Sequence, residues 1–547
     1  MRTGGELLVA CLEAQGVTTS FGVPGESYLA VLDALHDSSI DYVTCRQEGG
    51  VGYAASAWGK LTNQPGIGFV TRGPGATNAS VGLHTAMQDS APLVLFVGQA
   101  ETRHLGREAF QEIDYRAFFG PLVKWATQID HVDRIPEIVS RAFSTARSGR
   151  PGPVVVALPE DVLAGTTNVE PGRAVRISRP APTTSTMTAV ISHLEQATRP
   201  LLLVGGGGWD RSRLGDVRTF AEANSIPVVS AFRYHDLMDN HSPCYVGDAS
   251  FGMQPHVRRM IGAADLVLAA GIRFGEIATD GFTLFDMPDA AQTIIHVHAS
   301  DRELGKVVQA DLPVHASPVE FFELLRDTEL SKNDSRVAWC EQGRTERVAS
   351  TVAPTQPGPL DMGLVMAWLQ DRLPDDVIFT NGAGNFSAWP NKHFSFGRNA
   401  RLLAPQSGSM GYGLPAAIAA KIAHPERMVI CFAGDGDIQM NIQELGTAMQ
   451  ADAQPIVLVV NNGMYGTIRM HQERAFPTRV SGTDIVNPDY VQLAQAYGFY
   501  AERIERTEDF GPAFERAATS TTGGLLELIV PREMLNPTTS IEDLRNR

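Results

Sequence analysis

Residues 428–463 read MVICFAGDGDIQMNIQELGTAMQADAQPIVLVVNNG, and this stretch decides the fold. Met428–Ala433 is a short apolar run of the kind buried on both faces of a parallel sheet. It ends in Gly434-Asp435-Gly436-Asp437. Ile438, Ile442, Leu445 and Met449 then recur at helical spacing and predict one helix. A second apolar run, Ile456–Val460, ends in Asn461-Asn462-Gly463. Strand, helix and strand in this order form a βαβ unit, whose parallel strands end at the same edge. Asp435 and Asn462 therefore converge. Carboxylate, amide and backbone carbonyl oxygens suit Mg2+ or Ca2+ better than zinc. Glycines at the helix start near Gly436 admit a phosphate to the backbone amides. The natural occupant is a diphosphate bridged to a divalent cation. Either turn alone reads as an ordinary glycine turn. Two of them at the ends of successive strands, with 24 residues between Gly436 and Asn461, make the reading specific.

The same rhythm extends outward. Gly68–Thr71, Leu93–Val97, Val154–Leu158, Leu201–Val204 and Leu266–Ala270 are apolar runs that end at turn residues or lead into helix-length segments. Thr/Pro/Arg-rich residues 165–187 and Pro-rich residues 350–360 read as linkers. The 547 residues therefore divide into three α/β domains, each a mainly parallel sheet flanked by helices: 1–165, 186–330 and 358–535. The first and third share the order strand, Gly-rich turn, helix, which leaves a structural duplication open.

Composition narrows the function classes. Lys+Arg 45 against Asp+Glu 61 gives a formal charge of −16, which disfavours nonspecific nucleic-acid binding. No apolar run reaches the ~18–20 residues of a membrane span. The apolar part of the amphipathic segment Glu6–Gln15, Leu7–Leu12, is too short for a signal sequence, so a cytoplasmic enzyme is expected. The five cysteines show no C-x-x-C spacing, and neither a disulfide framework nor a zinc site is expected.

Gly434-Asp435-Gly436 with Asn461-Asn462 resembles the cofactor motif of the thiamin-diphosphate-dependent 2-oxoacid decarboxylase and carboligase superfamily. The resemblance extends to the acetolactate synthase catalytic subunit through Thr71-Arg72-Gly73-Pro74-Gly75-Ala76-Thr77-Asn78, Ala109-Phe110-Gln111-Glu112 and Met410-Gly411-Tyr412-Gly413-Leu414-Pro415. It implies Mg2+ held by Asp435, Asn462 and the carbonyl of Met464. It places the diphosphate against Gly384, Asn385 and Phe386, and against Gly434, Gly436 and Asp437. Gly408, Pro24, Tyr465, Gly466 and Ile468 would line the rest of the cofactor, and Met410 would be the wedge that bends it. Glu48, in Cys45-Arg46-Gln47-Glu48-Gly49-Gly50, would be the catalytic glutamate. It would hydrogen-bond the aminopyrimidine ring and favour the imino tautomer that deprotonates thiazolium C2. Gly25, Glu26, Phe110, Gln111, Lys124 and His471 would face the substrates. Because Glu48 and Asp435 lie in different domains, the resemblance implies an obligate homodimer or homotetramer. A regulatory subunit is left open.

The sequence also departs from that pattern. His471 stands where acetolactate synthases carry tryptophan. Glu26 matches an acidic position of pyruvate decarboxylases. Arg72 replaces a serine and has either a substrate carboxylate or Glu26 as its partner. The resemblance implies FAD in the middle domain, where Gly271-Ile272-Arg273-Phe274 agrees. Val297-His298-Ala299-Ser300 does not, and Gly205–Gly208 lacks the full G-x-G-x-x-G fingerprint. The expected reaction is decarboxylation of pyruvate or a related 2-oxoacid with carboligation to a second carbonyl compound. Non-ligating decarboxylation and 2-hydroxy ketone cleavage are the alternatives.

Overall fold

The computed structural model describes residues 1–546. The chain forms two compact units. One comprises Met1–Ile177, Thr380–Phe386 and Leu403–Arg532; the other comprises Ser178–Phe379, Ser387–Leu402 and the chain from Glu533.

The first sheet contains β1 (Thr19–Gly22), β2 (Asp41–Thr44), β3 (Gly66–Val70), β4 (Leu93–Gln99), β5 (Trp125–Gln128) and β6 (Pro153–Pro159). Its order is β2-β1-β3-β4-β6-β5, all parallel. β3, β4 and β6 are buried along their whole length, the signature of central strands covered on both faces. Helix α1 (Gly4–Ala14) carries a Thr3/Glu6 capping box and buries Leu7, Leu8, Leu12 and neighbours against this sheet. Helices α2 (Glu48–Thr62) and α3 (Gly73–Asp89) start directly beyond β2 and β3.

The central sheet contains β7 (Pro200–Val204), β8 (Val228–Ala231), β9 (Tyr245–Ala249), β10 (Leu266–Ala270), β11 (Thr293–His298) and β12 (Leu312–His315). Its order is β9-β8-β7-β10-β11-β12, again parallel. Helices α4 (Gly215–Asn224) and α5 (Pro318–Leu325) cover one face through Phe220, Phe321 and Phe322.

The third sheet contains β13 (Ile378–Asn381), β14 (Arg401–Leu403), β15 (Val429–Gly434), β16 (Ile456–Asn461), β17 (Tyr500–Ile504) and β18 (Gly524–Ile529), in the order β14-β13-β15-β16-β18-β17. From β15 to β17 every pairing is parallel. The first and third sheets thus share one strand order, which turns the suggested duplication into a topological fact. In all three sheets the first strand has its successor on one side and a later strand on the other. That reversal opens a crevice beyond the carboxyl ends of two neighbouring strands.

One expectation is corrected. The segment after Gly434 is not one helix: a short turn at Asp435–Ile438 breaks at Asn441, and helix α6 (Leu445–Gln450) follows a 3-10 turn at Ile442–Glu444. Ile442 and Met449 are only partly buried, so the helical periodicity did not report one continuous buried face. Part of the first linker is also held against its domain: Gln15 binds the backbone at Arg173 and Val175. Helix Asp334–Thr351, which ends where the second linker begins, packs on the central domain through Trp339 and Cys340. All five cysteines are free. Among the described residues no helix is long and apolar enough to cross a membrane.

Candidate active site

In the third domain the crevice lies between β13 and β15. Gly382–Gly384 follows one strand, and Gly434–Asp437 ends the other. Asp435 is 3% exposed. Its Oδ1 accepts the Gly436 N–H at 2.9 Å, and Oδ2 accepts the Gly463 N–H at 2.8 Å and the Asn487 amide at 2.7 Å. Burial pushes this carboxyl above its ordinary range, and these donors pull it back. Tyr490 donates to the Asp435 carbonyl at 2.8 Å. Across the β16 end, an antiparallel bridge engages the Tyr465 N–H with Thr483 and the Gly463 carbonyl with Ile485. The Met464 carbonyl between them takes no part in that bridge, and among the described residues the Asn462 side chain has no hydrogen-bond partner. One fixed carboxylate, one amide and one carbonyl form a hard-oxygen set. It suits Mg2+, which characteristically completes its shell with phosphate and water. Among the described residues no group of three His, Cys, Asp or Glu forms an alternative metal cluster. The residues fit a Mg2+–diphosphate pair.

Asp437 has a different task from the expected one. Its Oδ1 accepts the N–H groups of Ala383 and Gly411, each at 3.0 Å, tying the turn after β13 to the turn carrying Met410. A Cβ at Gly382 would lie 2.1 Å from that oxygen, so position 382 must be glycine for the tie to form. Asp437 builds the pocket wall and has this oxygen committed before any ligand arrives. Met410 is half-buried, so it is not core filling, and the space around Gly408 is open. Asn385 accepts from the Thr467 hydroxyl at 3.0 Å. That hydroxyl sits on helix α7 (Gly466–Ala475), which also presents exposed Ile468 and exposed His471.

In the first domain the crevice lies between β1 and β3. Glu48 is the first residue of α2, where an acidic side chain meets the positive end of the helix dipole. Its Oε2 accepts from Asn78 Nδ2 at 2.9 Å, which leaves Oε1 for a ligand. Pro24, Gly25 and Glu26 follow β1. Arg72 follows β3 and is 7% exposed. Its guanidinium lies 3.5 Å from Glu26, pairs with Glu160 and donates to the Phe110 carbonyl at 3.4 Å. The Gln111 carbonyl accepts the Gly73 N–H at 2.8 Å. Arg72 therefore joins Glu26 to Phe110, and Gln111 is held beside them by Gly73. Of the two partners weighed for Arg72, Glu26 lies beside it, and Glu160 is a second carboxylate of the same chain.

Lys124 is not brought to that group within the chain. It precedes β5 at the amino-terminal edge of the sheet, opposite the crevice, and donates to the Ser148 carbonyl at 2.7 Å. Burial, with Arg150 nearby, lowers its ammonium to about 8.

The central crevice lies between β7 and β10. Gly206, at φ +75°, backs onto the Gly271 carbonyl so closely that an added Cβ would lie 1.9 Å from it. Trp209 fills the space beside them: its indole N–H donates to the Gly205 carbonyl at 2.8 Å, its ring lies 6.0 Å from Phe322, and it is 4% exposed. The Gly205–Gly208 tract is thus used for close backbone packing beside an indole.

Three residues escaped the sequence reading. Asn487 orients Asp435. Glu160 anchors Arg72. Glu444, 1% exposed, reaches the turn before Glu48. Asn487 and Glu160 lie far from the motif in sequence, and no spacing rule connects them. Glu444 lay within the predicted helix but off the apolar positions that defined it.

Family comparisons agree with this geometry. The N-terminal TPP binding domain of thiamine pyrophosphate enzymes matches residues 2–118, the central domain residues 187–325, and the C-terminal TPP binding domain residues 382–528. The acetolactate synthase isozyme 2 large subunit of Escherichia coli K12 is 30% identical over 530 residues, 96% of this chain and 95% of that protein. The acetolactate synthase large subunit of Parasynechococcus marenigrum WH8102 is 32% identical over 548 residues, 97% and 88% of the two chains. A probable acetolactate synthase large subunit of Methanocaldococcus jannaschii is 30% identical over 551 residues, 97% and 93%.

Proposed function

The chain belongs to the thiamin-diphosphate enzymes that include the acetolactate synthase large subunits, and from that premise we propose that it decarboxylates pyruvate or a related 2-oxoacid and joins the remaining acyl unit to a second carbonyl compound. The observation that carries this reading is the pairing of two preformed groups. One is the hard-oxygen set of Asp435, Asn462 and Met464. The other is Glu48, with one carboxylate oxygen fixed by Asn78 and the other open. Bound thiamin diphosphate supplies the nucleophilic carbon and the electron sink that decarboxylation requires.

The protein's own residues do the remaining work. Asp435, Asn462 and the Met464 carbonyl would hold Mg2+ beside the diphosphate. The Asp437-tied turns would border that group. Met410 would pack against the cofactor. Glu48 Oε1 would exchange a proton with the aminopyrimidine ring nitrogen. Glu26, held by Arg72, is the carboxylate available on the substrate side, and Phe110 and His471 border the acceptor.

Exposure within one chain supports a homodimer or homotetramer. Phe110 is 69% exposed, Ile468 53% and Met440 49%, all beside the proposed site, where a second copy would cover them. The indole-filled central crevice supports a flavin-free central domain.

Product analysis by NMR tests the reading. Purified protein with thiamin diphosphate, Mg2+ and 13C-pyruvate, with and without FAD, should yield a coupled 2-hydroxy-2-acyl product at a rate that FAD does not change. Acetaldehyde as the sole product would favour the non-ligating alternative, for which the Glu26 carboxylate is the specific support. Nicotinamide-linked oxidation with no release of CO2 would overturn both.

A further inference from the structure

Glu444 belongs to the diphosphate domain, but its carboxylate serves the first domain. It closes the 3-10 turn Ile442–Glu444 just before α6. Its Oε1 accepts the backbone N–H groups of Arg46 at 3.1 Å and Gln47 at 3.0 Å. Its Oε2 lies 3.2 Å from the Arg46 N–H and accepts the Thr447 hydroxyl at 2.6 Å. A Cβ at Gly50 would sit 2.6 Å from Oε1, so the carboxylate enters only because residue 50 has no side chain. Arg46 closes the clasp from the other side, donating to the Gly446 carbonyl at 3.1 Å and to Gln450 at 2.7 Å.

The clasped amides belong to the two residues immediately before Glu48. Gln47 is the N-cap of α2 and Glu48 its first residue. Fixing them sets where the helix starts and so where the Glu48 carboxylate stands. Desolvating a carboxylate is costly, and burial raises the proton affinity of this one. A neutral acceptor would satisfy two amides at lower cost. A charged acceptor makes shorter, stronger bonds and interacts favourably with the helix end. Residues that orient a catalytic group through its backbone commonly matter to rate as much as the groups that touch substrate.

The geometry points to Glu444 as a positioning residue for Glu48: it locks the start of α2 to the diphosphate domain, so that the activating carboxylate is held in register for catalysis. This rests on the role given to Glu48 above. The test uses full-length protein and the variants Glu444→Gln, Glu444→Ala and Glu48→Gln. Hydrogen exchange of the cofactor-free protein should show the amides of Arg46 and Gln47 protected, less so in Glu444→Gln and least in Glu444→Ala. Glu444→Gln, which keeps one acceptor oxygen, should bind thiamin diphosphate and Mg2+ within about threefold of the parent and keep its KM, with kcat lowered about 10- to 100-fold. Exchange of the thiazolium C2 proton, read by NMR after acid quench, should slow by the same factor. Glu444→Ala should lose more in both rates.

Unchanged kcat and C2 exchange in Glu444→Gln, with Glu48→Gln inactive, would overturn the positioning role and leave the Glu48 reading intact. A loss in Glu444→Gln that appears wholly in cofactor affinity or thermal midpoint, with C2 exchange normal in the loaded protein, would reduce Glu444 to a packing role. Normal C2 exchange in Glu48→Gln would instead remove the premise.

Discussion

The third and central domains place glycine-rich turns at the same topological point and use them in opposite ways. In the third, Asp437 ties the turn after β13 to its own turn after β15 and to the turn carrying Met410, and the space around Gly408 is open. In the central domain the turns after β7 and β10 touch backbone to backbone, and Trp209 occupies what remains. A strand-order crevice is therefore only an opportunity. Whether it becomes a ligand site depends on a few residues: a buried carboxylate that ties the turns around an open space, or an indole that fills the gap. The first domain makes a third use of the same position, with the strand order of the third domain but Glu48 and the Arg72 group in place of a phosphate cradle.

That contrast sets the order of the expected effects. Asp435→Ala removes the only carboxylate from the hard-oxygen set and takes one of two acceptors from the Gly463 amide and the Asn487 side chain, which keep Asn461 Oδ1. Affinity for thiamin diphosphate with Mg2+, measured by calorimetry, should fall at least about 100-fold, in line with loss of a metal ligand together with buried hydrogen bonds. Glu48→Gln should leave that affinity within about threefold and lower kcat by about 10²–10³-fold, the range for loss of one proton-transfer group. Wild-type turnover in this variant would break the division of labour between the two domains.

Arg72→Ser frees Glu160 and Glu26 and loosens the Phe110–Gln111 strap. We expect a roughly tenfold fall in kcat/KM for the 2-oxoacid, with cofactor affinity unchanged, and product ratios between aldehyde and coupled ketone should shift. The smallest effect is expected in the central domain. FAD titrated into the wild-type protein should give no saturable quenching of flavin fluorescence. Trp209→Gly should open the crevice at a cost of about 3–5 kcal/mol of stability, the range for deleting a buried tryptophan side chain. Stoichiometric flavin in the wild-type protein would overturn the filled-crevice account.

Much of this was legible in the sequence for a physical reason. Strands buried on both faces leave uninterrupted apolar runs, and Val429–Phe432 and Ile456–Val460 lie within the observed strands β15 and β16. Asp435 and the Asn461–Gly463 turn meet because parallel strands end at the same edge. Periodicity failed where a polar interruption broke the helix: Asn441 turns the chain, and Glu444 points into another domain instead of into solvent. The Gly205–Gly208 tract carried little signal because glycine permits close backbone packing as readily as ligand approach, and the position of the Trp209 ring is not legible in sequence. Lys124 resembled a substrate-side lysine in sequence, yet register puts it at the opposite end of its strand.

The most direct test of the central claim is a calorimetric titration of thiamin diphosphate in Mg2+ into the wild-type, Asp435→Ala, Glu48→Gln and Trp209→Phe proteins, side by side. The account predicts tight, Mg2+-dependent binding in all but Asp435→Ala. Binding that survives Asp435→Ala, or that is lost with Trp209→Phe in a folded protein, would contradict it.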